Sequence, residues 1–113
     1  MASKHVLIVD DNLEIRELLT HFLISKNYSV DEAEDAYEAL DILQKKSYDF
    51  ILTDYEMPGM KGDELVKIVK EKYPYSKVGG MSVLDKKKRF YQAGADFYLQ
   101  KPFDLMEMYS FLQ

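Results

Sequence analysis

The sequence predicts an α/β fold: a doubly wound, five-stranded parallel sheet in the order 2-1-3-4-5, with helices on both faces. Three observations predict it. Five short apolar runs alternate with stretches whose apolar residues recur at helical spacing. Two of the runs, HVLIV at 5–9 and FILT at 50–53, are apolar almost throughout, as strands covered on both faces must be. Aspartates close those same two runs, Asp10 and Asp11 after the first and Asp54 after the second.

Each element has its own signal. Strand 1 is HVLIV (5–9), and the helix after it carries the stripe Leu18, Leu19, Phe22 and Leu23, with Glu14, Glu17 and His21 on its polar side. YSVDEA (28–33) reads as strand 2. Asp35 then opens a second helix through Leu40 and Leu43, and Glu38 three residues on completes a capping box. DFILT (49–53) is strand 3. Leu65, Val66, Ile68 and Val69 mark a third helix that Tyr73-Pro74 ends. KVGGMS (77–82) and FYL (97–99) are strands 4 and 5; helices run from Lys86 to Ala93 before Gly94 and from Asp104 to about Leu112. In the order 2-1-3-4-5 the first and third strands are neighbours, and the ligand crevice of such a sheet lies at their carboxyl ends.

Composition narrows the function classes. A chain of 113 residues is expected to be one domain, filled by the pattern above. No cysteine is present, which excludes disulfides, zinc-thiolate sites and cysteine nucleophiles. The net charge of −5 opposes direct binding to nucleic acid. No run approaches the ~20 apolar residues of a membrane span, and MASKHVLIVDD has neither the apolar core nor the cleavage site of a secretory leader, so the expected setting is the cytoplasm, away from any membrane.

Asp10, Asp11 and Asp54 are thus expected at one end of two adjacent strands. Like charges so close repel and raise one another's pKa unless a cation joins them. Mg2+ suits such a site, because it prefers oxygen ligands and takes one or two carboxylates. The turn after Asp54 offers a further ligand, the backbone carbonyl of Glu56. Taken singly these residues have plainer readings: Asp10-Asp11-Asn12 as a helix cap, Asp54 as a turn initiator, Ser82 and Lys101 as a strand-end hydroxyl and a surface cation. Their joint placement at the carboxyl ends of strands favours a site.

The segments IVDDN (8–12), LTDYEMPGMKG (52–62), MS (81–82) and AGADFYLQKPF (93–103) resemble the receiver domain of bacterial two-component response regulators, which has a flavodoxin-like fold. The resemblance covers nearly the whole chain. It implies that Asp54 accepts a phosphoryl group from a histidine kinase or phosphotransfer protein, and that Mg2+ is held by Asp10, Asp11, Asp54 and the Glu56 carbonyl. It further implies that the Ser82 hydroxyl and Lys101 contact the phosphoryl oxygens, that Lys101-Pro102 is a cis bond, and that Ser82 and Tyr98 move together as a switch. Tyr98 alone would read as a core aromatic. Glu56 and Leu84 match positions through which family members tune phosphoryl lifetime. The domain would not be an enzyme beyond assisting its own phosphorylation and dephosphorylation.

Three features depart from the family pattern. Ser82 and Lys101 are 19 positions apart, a few fewer than usual; the deficit falls in the loop and helix 4, the helix being part of the surface family members use for output. Gly79-Gly80 is expected to leave strand 4 loosely packed and pliable. Val83 is expected to crowd access to the site. Lys86 to Arg89 form the one basic cluster, either a solvated helix face or a docking point for an acidic partner. The rival readings are a phosphohydrolase with an aspartate nucleophile, a cofactor carrier, a receiver-like interaction module that no longer takes phosphate, and a fragment of a longer DNA-binding regulator. Asp10-Asp11 lacks the two-residue spacing of the first, and two carboxylates repel the phosphate of the second.

Overall fold

The computed structural model describes residues 4–113; the first three residues of the stretch read above for a leader lie outside them. The strands are β1 (His5–Val9), β2 (Ser29–Ala33), β3 (Phe50–Asp54), β4 (Lys77–Ser82) and β5 (Phe97–Gln100). The helices are α1 (Leu13–Ser25), α2 (Ala36–Lys45), α3 (Gly62–Lys72), α4 (Lys87–Ala93) and α5 (Leu105–Leu112). All pairings are parallel, and the sheet order is β2-β1-β3-β4-β5. Both match the order predicted from the apolar runs.

Alternation along the strands builds two cores. Leu7, Val9, Ile51 and Val78 face α2, α3 and α4, meeting Ala39, Leu43, Leu65, Val69 and Phe90. Val6, Ile8, Leu52 and Met81 face α1 and α5, meeting Leu19, Leu23, Met108 and Leu112. Both faces are therefore covered, which is why β1 and β3 are almost wholly apolar until the polar residues at their ends. Leu18, expected in the α1 stripe, lies at its edge and is 54% exposed. No described helix is long and apolar enough to cross a membrane.

The loose strand expected from Gly79-Gly80 is not what forms. A Cβ on Gly79 would lie 2.1 Å from the Phe97 ring, and one on Gly80 2.3 Å from the Phe90 ring. Both rings are buried, Phe97 stacking on Phe111 at 4.8 Å and Phe90 meeting Tyr55 edge to face at 6.0 Å. Aromatic groups from β5 and α4 occupy the space that side chains of β4 would take. The strand is packed from outside.

Candidate functional site

At the carboxyl end of β1, the Asp10 amide bonds to Ala33 O (3.1 Å), prolonging the pairing with β2 by one residue. Its side chain is fully buried and accepts from the Asn12 amide (2.9 Å) and from Lys101 Nζ (2.8 Å). Helix capping falls to Asn12, whose side chain accepts the Ile15 amide at 3.1 Å. The capping read for Asp10-Asp11-Asn12 is thus done by Asn12, leaving Asp10 and the exposed Asp11 free of that task.

Asp54, the last residue of β3, is 6% exposed. Its Oδ1 lies 3.0 Å from Lys101 Nζ, so one ammonium group bridges Asp10 and Asp54. Burial and the neighbouring Asp10 outweigh Lys101 and push the Asp54 carboxyl up to about 6. Burial alone would lower Lys101, but its carboxylate partners hold it above its ordinary value. One oxygen each from Asp10, Asp11 and Asp54 lie within 4.8 Å of one another. With Lys101 paired to Asp10 and Asp54, the three carboxylates retain excess negative charge in a partly dry place, and an all-oxygen donor set of that kind fits a hard divalent cation.

The loop after Asp54 is shaped by two glycines. Gly59 has φ +80°, a conformation other residues resist. Gly62 serves by close approach instead: a Cβ there would lie 2.1 Å from the Asp54 carbonyl oxygen, and its amide bonds to Tyr55 O at 3.0 Å. α3 therefore begins against the residue that carries the carboxylate. Glu56 borders the cleft with its side chain turned to Lys61 Nζ at 2.9 Å.

Ser82, 3% exposed, ends β4 beside this group, and the Lys101 amide donates to Ser82 O at 2.8 Å. The Lys101-Pro102 bond is cis. Together Asp10, Asp11, Asp54, Glu56, Ser82 and Lys101 border one cleft of about 430 Å³, with Val83 and Leu84 at its rim. Val83, 71% exposed, does not close it. Tyr98 lies outside the cleft; its ring packs 5.8 Å from Phe90 and its hydroxyl reaches the loop between β4 and α4. The basic cluster lines a separate open groove, with Lys86 Nζ 4.8 Å from the Tyr55 ring centre and Arg89 4.0 Å from Asp63.

Sequence reasoning missed two residues that hold the site. Arg16, on α1, donates to Asp10 O at 2.7 Å and pairs with Glu32 at 3.1 Å. Gln100, at the end of β5, donates to Ser82 O at 3.2 Å. Gln100 reaches Ser82 eighteen residues away and Arg16 reaches Glu32 sixteen away, while the Arg16 contact with Asp10 O spans six residues but falls on no recurring motif.

The comparisons agree with this geometry. The family model described as "Response regulator receiver domain" matches residues 6–113. Transcriptional regulatory protein ResD of Bacillus subtilis is 36% identical over 91% of this chain, and the DNA-binding transcriptional regulator NtrC of Klebsiella pneumoniae 41% over 88%. The chain spans less than half of either, 44% and 22%. Sporulation initiation phosphotransferase F of Bacillus subtilis is 32% identical over 96% of this chain and 90% of its own. Among solved structures, a chemotaxis response regulator of Vibrio cholerae superposes with TM-score 0.91 at 34% identity, covering 98% of this chain and 97% of that one. A response regulator of Thermotoga maritima, solved in complex with Mg2+-BeF, gives 0.88 at 32%, covering 96% of each. With its sheet order, its acidic cleft and a match across nearly all its length, this chain belongs to the response regulator receiver domain family.

Proposed function

We propose that this receiver domain is a phosphorylation-controlled signalling switch of a two-component phosphorelay, with Asp54 as acceptor. The observation that carries the reading is the Asp54 carboxylate, nearly buried, 3.0 Å from the Lys101 ammonium and grouped with Asp10 and Asp11. Asp10, Asp11, Asp54 and the Glu56 carbonyl are the residues that would hold Mg2+. Bound there, the ion supplies positive charge to the phosphoryl oxygens.

The chain's own residues do the remainder. An Asp54 oxygen attacks phosphorus in line, forming an O–P bond as the P–N bond of a donor phosphohistidine breaks and its electron pair returns to the imidazole. Only the carboxylate attacks, so a cation among the three aspartates favours the reactive form of a group otherwise held near 6. Lys101 Nζ, already bonded to Asp54, is placed to neutralise a phosphoryl oxygen on it. The Ser82 hydroxyl donates to another. Loss of the Lys101 pairing to Asp54 and the pull on Ser82 then shift the Ser82–Tyr98 side of the fold, altering the surface a partner meets.

The donor is a histidine kinase or a phosphotransfer protein. A relay role is supported by the likeness to a sporulation phosphotransferase along 90% of its length. Likeness to one part of two transcriptional regulators supports a second reading, the receiver of a longer DNA-binding regulator. With net charge −5 this domain would reach DNA only through another one. The test is incubation with Mg2+ and phosphoramidate or acetyl phosphate, read by intact mass. A phosphoryl adduct on the wild type, absent from Asp54→Asn and from a chelator control, is the expected result. No adduct on the wild type, with no beryllofluoride binding, leaves a receiver that serves only as an interaction module.

A further inference from the structure

Ser82 ends β4 at the cleft, and two side chains of β5 fasten the loop that follows it. Tyr98 and Gln100 alternate along the strand and therefore share a face. The Lys86 amide donates to the Tyr98 hydroxyl at 3.2 Å. That hydroxyl has acceptors in Gln100 Oε1 at 2.8 Å and Leu84 O at 3.2 Å. Gln100 Nε2 donates to Ser82 O at 3.2 Å and also to Val83 O. The amide's orientation follows from its neighbours: two carbonyls require donors and the tyrosine hydroxyl offers a proton, so nitrogen faces the loop and oxygen faces Tyr98. One side chain thereby ties the residue bearing the cleft hydroxyl to the residue expected to switch.

Resting on the phosphoryl-transfer reading above, we infer that Gln100 is a positioning residue, which holds Ser82 in the cleft and transmits its displacement to Tyr98. Gln100 touches none of the reacting groups. Its amide is exposed, so exchanging these bonds for water is cheap, and the clasp can open without unfolding the sheet. The backbone pairing of Ser82 with Gln100 persists when the side chain is changed, because the Lys101 amide still bonds to Ser82 O.

The test compares the wild type with Gln100→Leu, which removes both donor and acceptor, and Gln100→Glu, which keeps the acceptor for Tyr98 and loses the donors to Ser82 and Val83. Amide hydrogen exchange at Lys86 in the unphosphorylated protein reads the clasp; phosphoramidate concentration series with Mg2+, read by intact mass, give the maximal rate of adduct formation and the half-saturating donor concentration. Removing this bonded support is expected to speed Lys86 exchange about tenfold in Gln100→Leu, with less change in Gln100→Glu. Both variants are expected to lose about three- to tenfold in maximal rate at unchanged half-saturation, because the hydroxyl is aimed less often. Unchanged Lys86 exchange in Gln100→Leu overturns the clasp. Faster exchange with wild-type adduct kinetics overturns the positioning role and leaves a loop staple. No adduct on the wild type itself overturns the phosphoryl reading, and the role of Gln100 in it falls with it.

Discussion

On the β1 and β3 side of the cleft, the main chain itself fixes the functional groups. Asp10 prolongs the pairing with β2, Asp54 is the last residue of a fully buried strand, and Gly62 brings α3 against its carbonyl. On the β4 and β5 side, two side chains, Tyr98 and Gln100, hold the loop after Ser82. Backbone ladders are lost only with the fold, whereas each side-chain bond contributes about 1 kcal/mol and exchanges readily with water. The side that gathers charge is rigid, and the side that responds to it is adjustable.

The largest expected effect removes the cation that the β5 side lends to the rigid side. Lys101→Met leaves Asp10 and Asp54 buried together without their shared cation. Removing one partner of so buried a group is expected to cost about 3 kcal/mol at pH 7, measured by urea unfolding, and to slow adduct formation about a hundredfold. Near pH 4 the stability loss is expected to shrink, as Asp54 takes up a proton. A loss independent of pH would place the effect in packing.

Next comes the pH dependence of the metal-free protein. The folded pKa of Asp54, about 6, lies above its ordinary value of 3.8, so the folded state binds the proton more tightly. Its contribution is complete below pH 4, declines as pH rises toward 6, and has gone above that, a span of up to about 3 kcal/mol. Asp54→Asn is therefore expected to match the wild type at pH 4 and to exceed it in urea midpoint at pH 7 without divalent cations. Added Mg2+ is expected to stabilise the wild type at pH 7 and leave the variant nearly unmoved. Equal midpoints at both pH values would show that Asp54 carries no charge penalty.

Gly80→Ala sharpens the contrast on the other side. Its new methyl group meets the buried Phe90 ring, and overpacking of this kind costs about 1–3 kcal/mol. Phe90→Leu combined with it is expected to recover part of the loss, a coupling that a pliable strand would not show. The smallest effect is at Lys61, whose pair with Glu56 is exposed. Lys61→Ala is expected to leave the urea midpoint unchanged. A shift there would mean that the loop depends on Lys61, through its pair with Glu56 or its bond to Met57 O.

Much of the rigid side was legible in the sequence. Strands buried on both faces must be apolar throughout, so HVLIV and FILT announced themselves, and the aspartates that end them stood out against that background. The capping box at Asp35 was visible as well, with Asp35 accepting the Glu38 amide at 2.8 Å, although Glu38 returns its bond to the Glu34 amide, one residue earlier. The adjustable side was not legible. Gly79-Gly80 suggested a loose strand because the rings of Phe90 and Phe97 that fill it come from α4 and β5. Gln100 and Arg16 are polar residues whose partners Ser82 and Glu32 lie on other elements, eighteen and sixteen residues away, and meet them only in the fold. Periodicity reports which face is buried and is silent on which partner meets it.

Borohydride trapping of the adduct tests the central claim most directly, since hydride reduces an acyl phosphate to an alcohol and converts a phosphorylated aspartate to homoserine. After Mg2+ and phosphoramidate, peptide mass mapping is predicted to find homoserine at position 54 alone. Homoserine at position 10 or 11, or none in a protein that carries the adduct, would contradict the assignment of Asp54 as the acceptor.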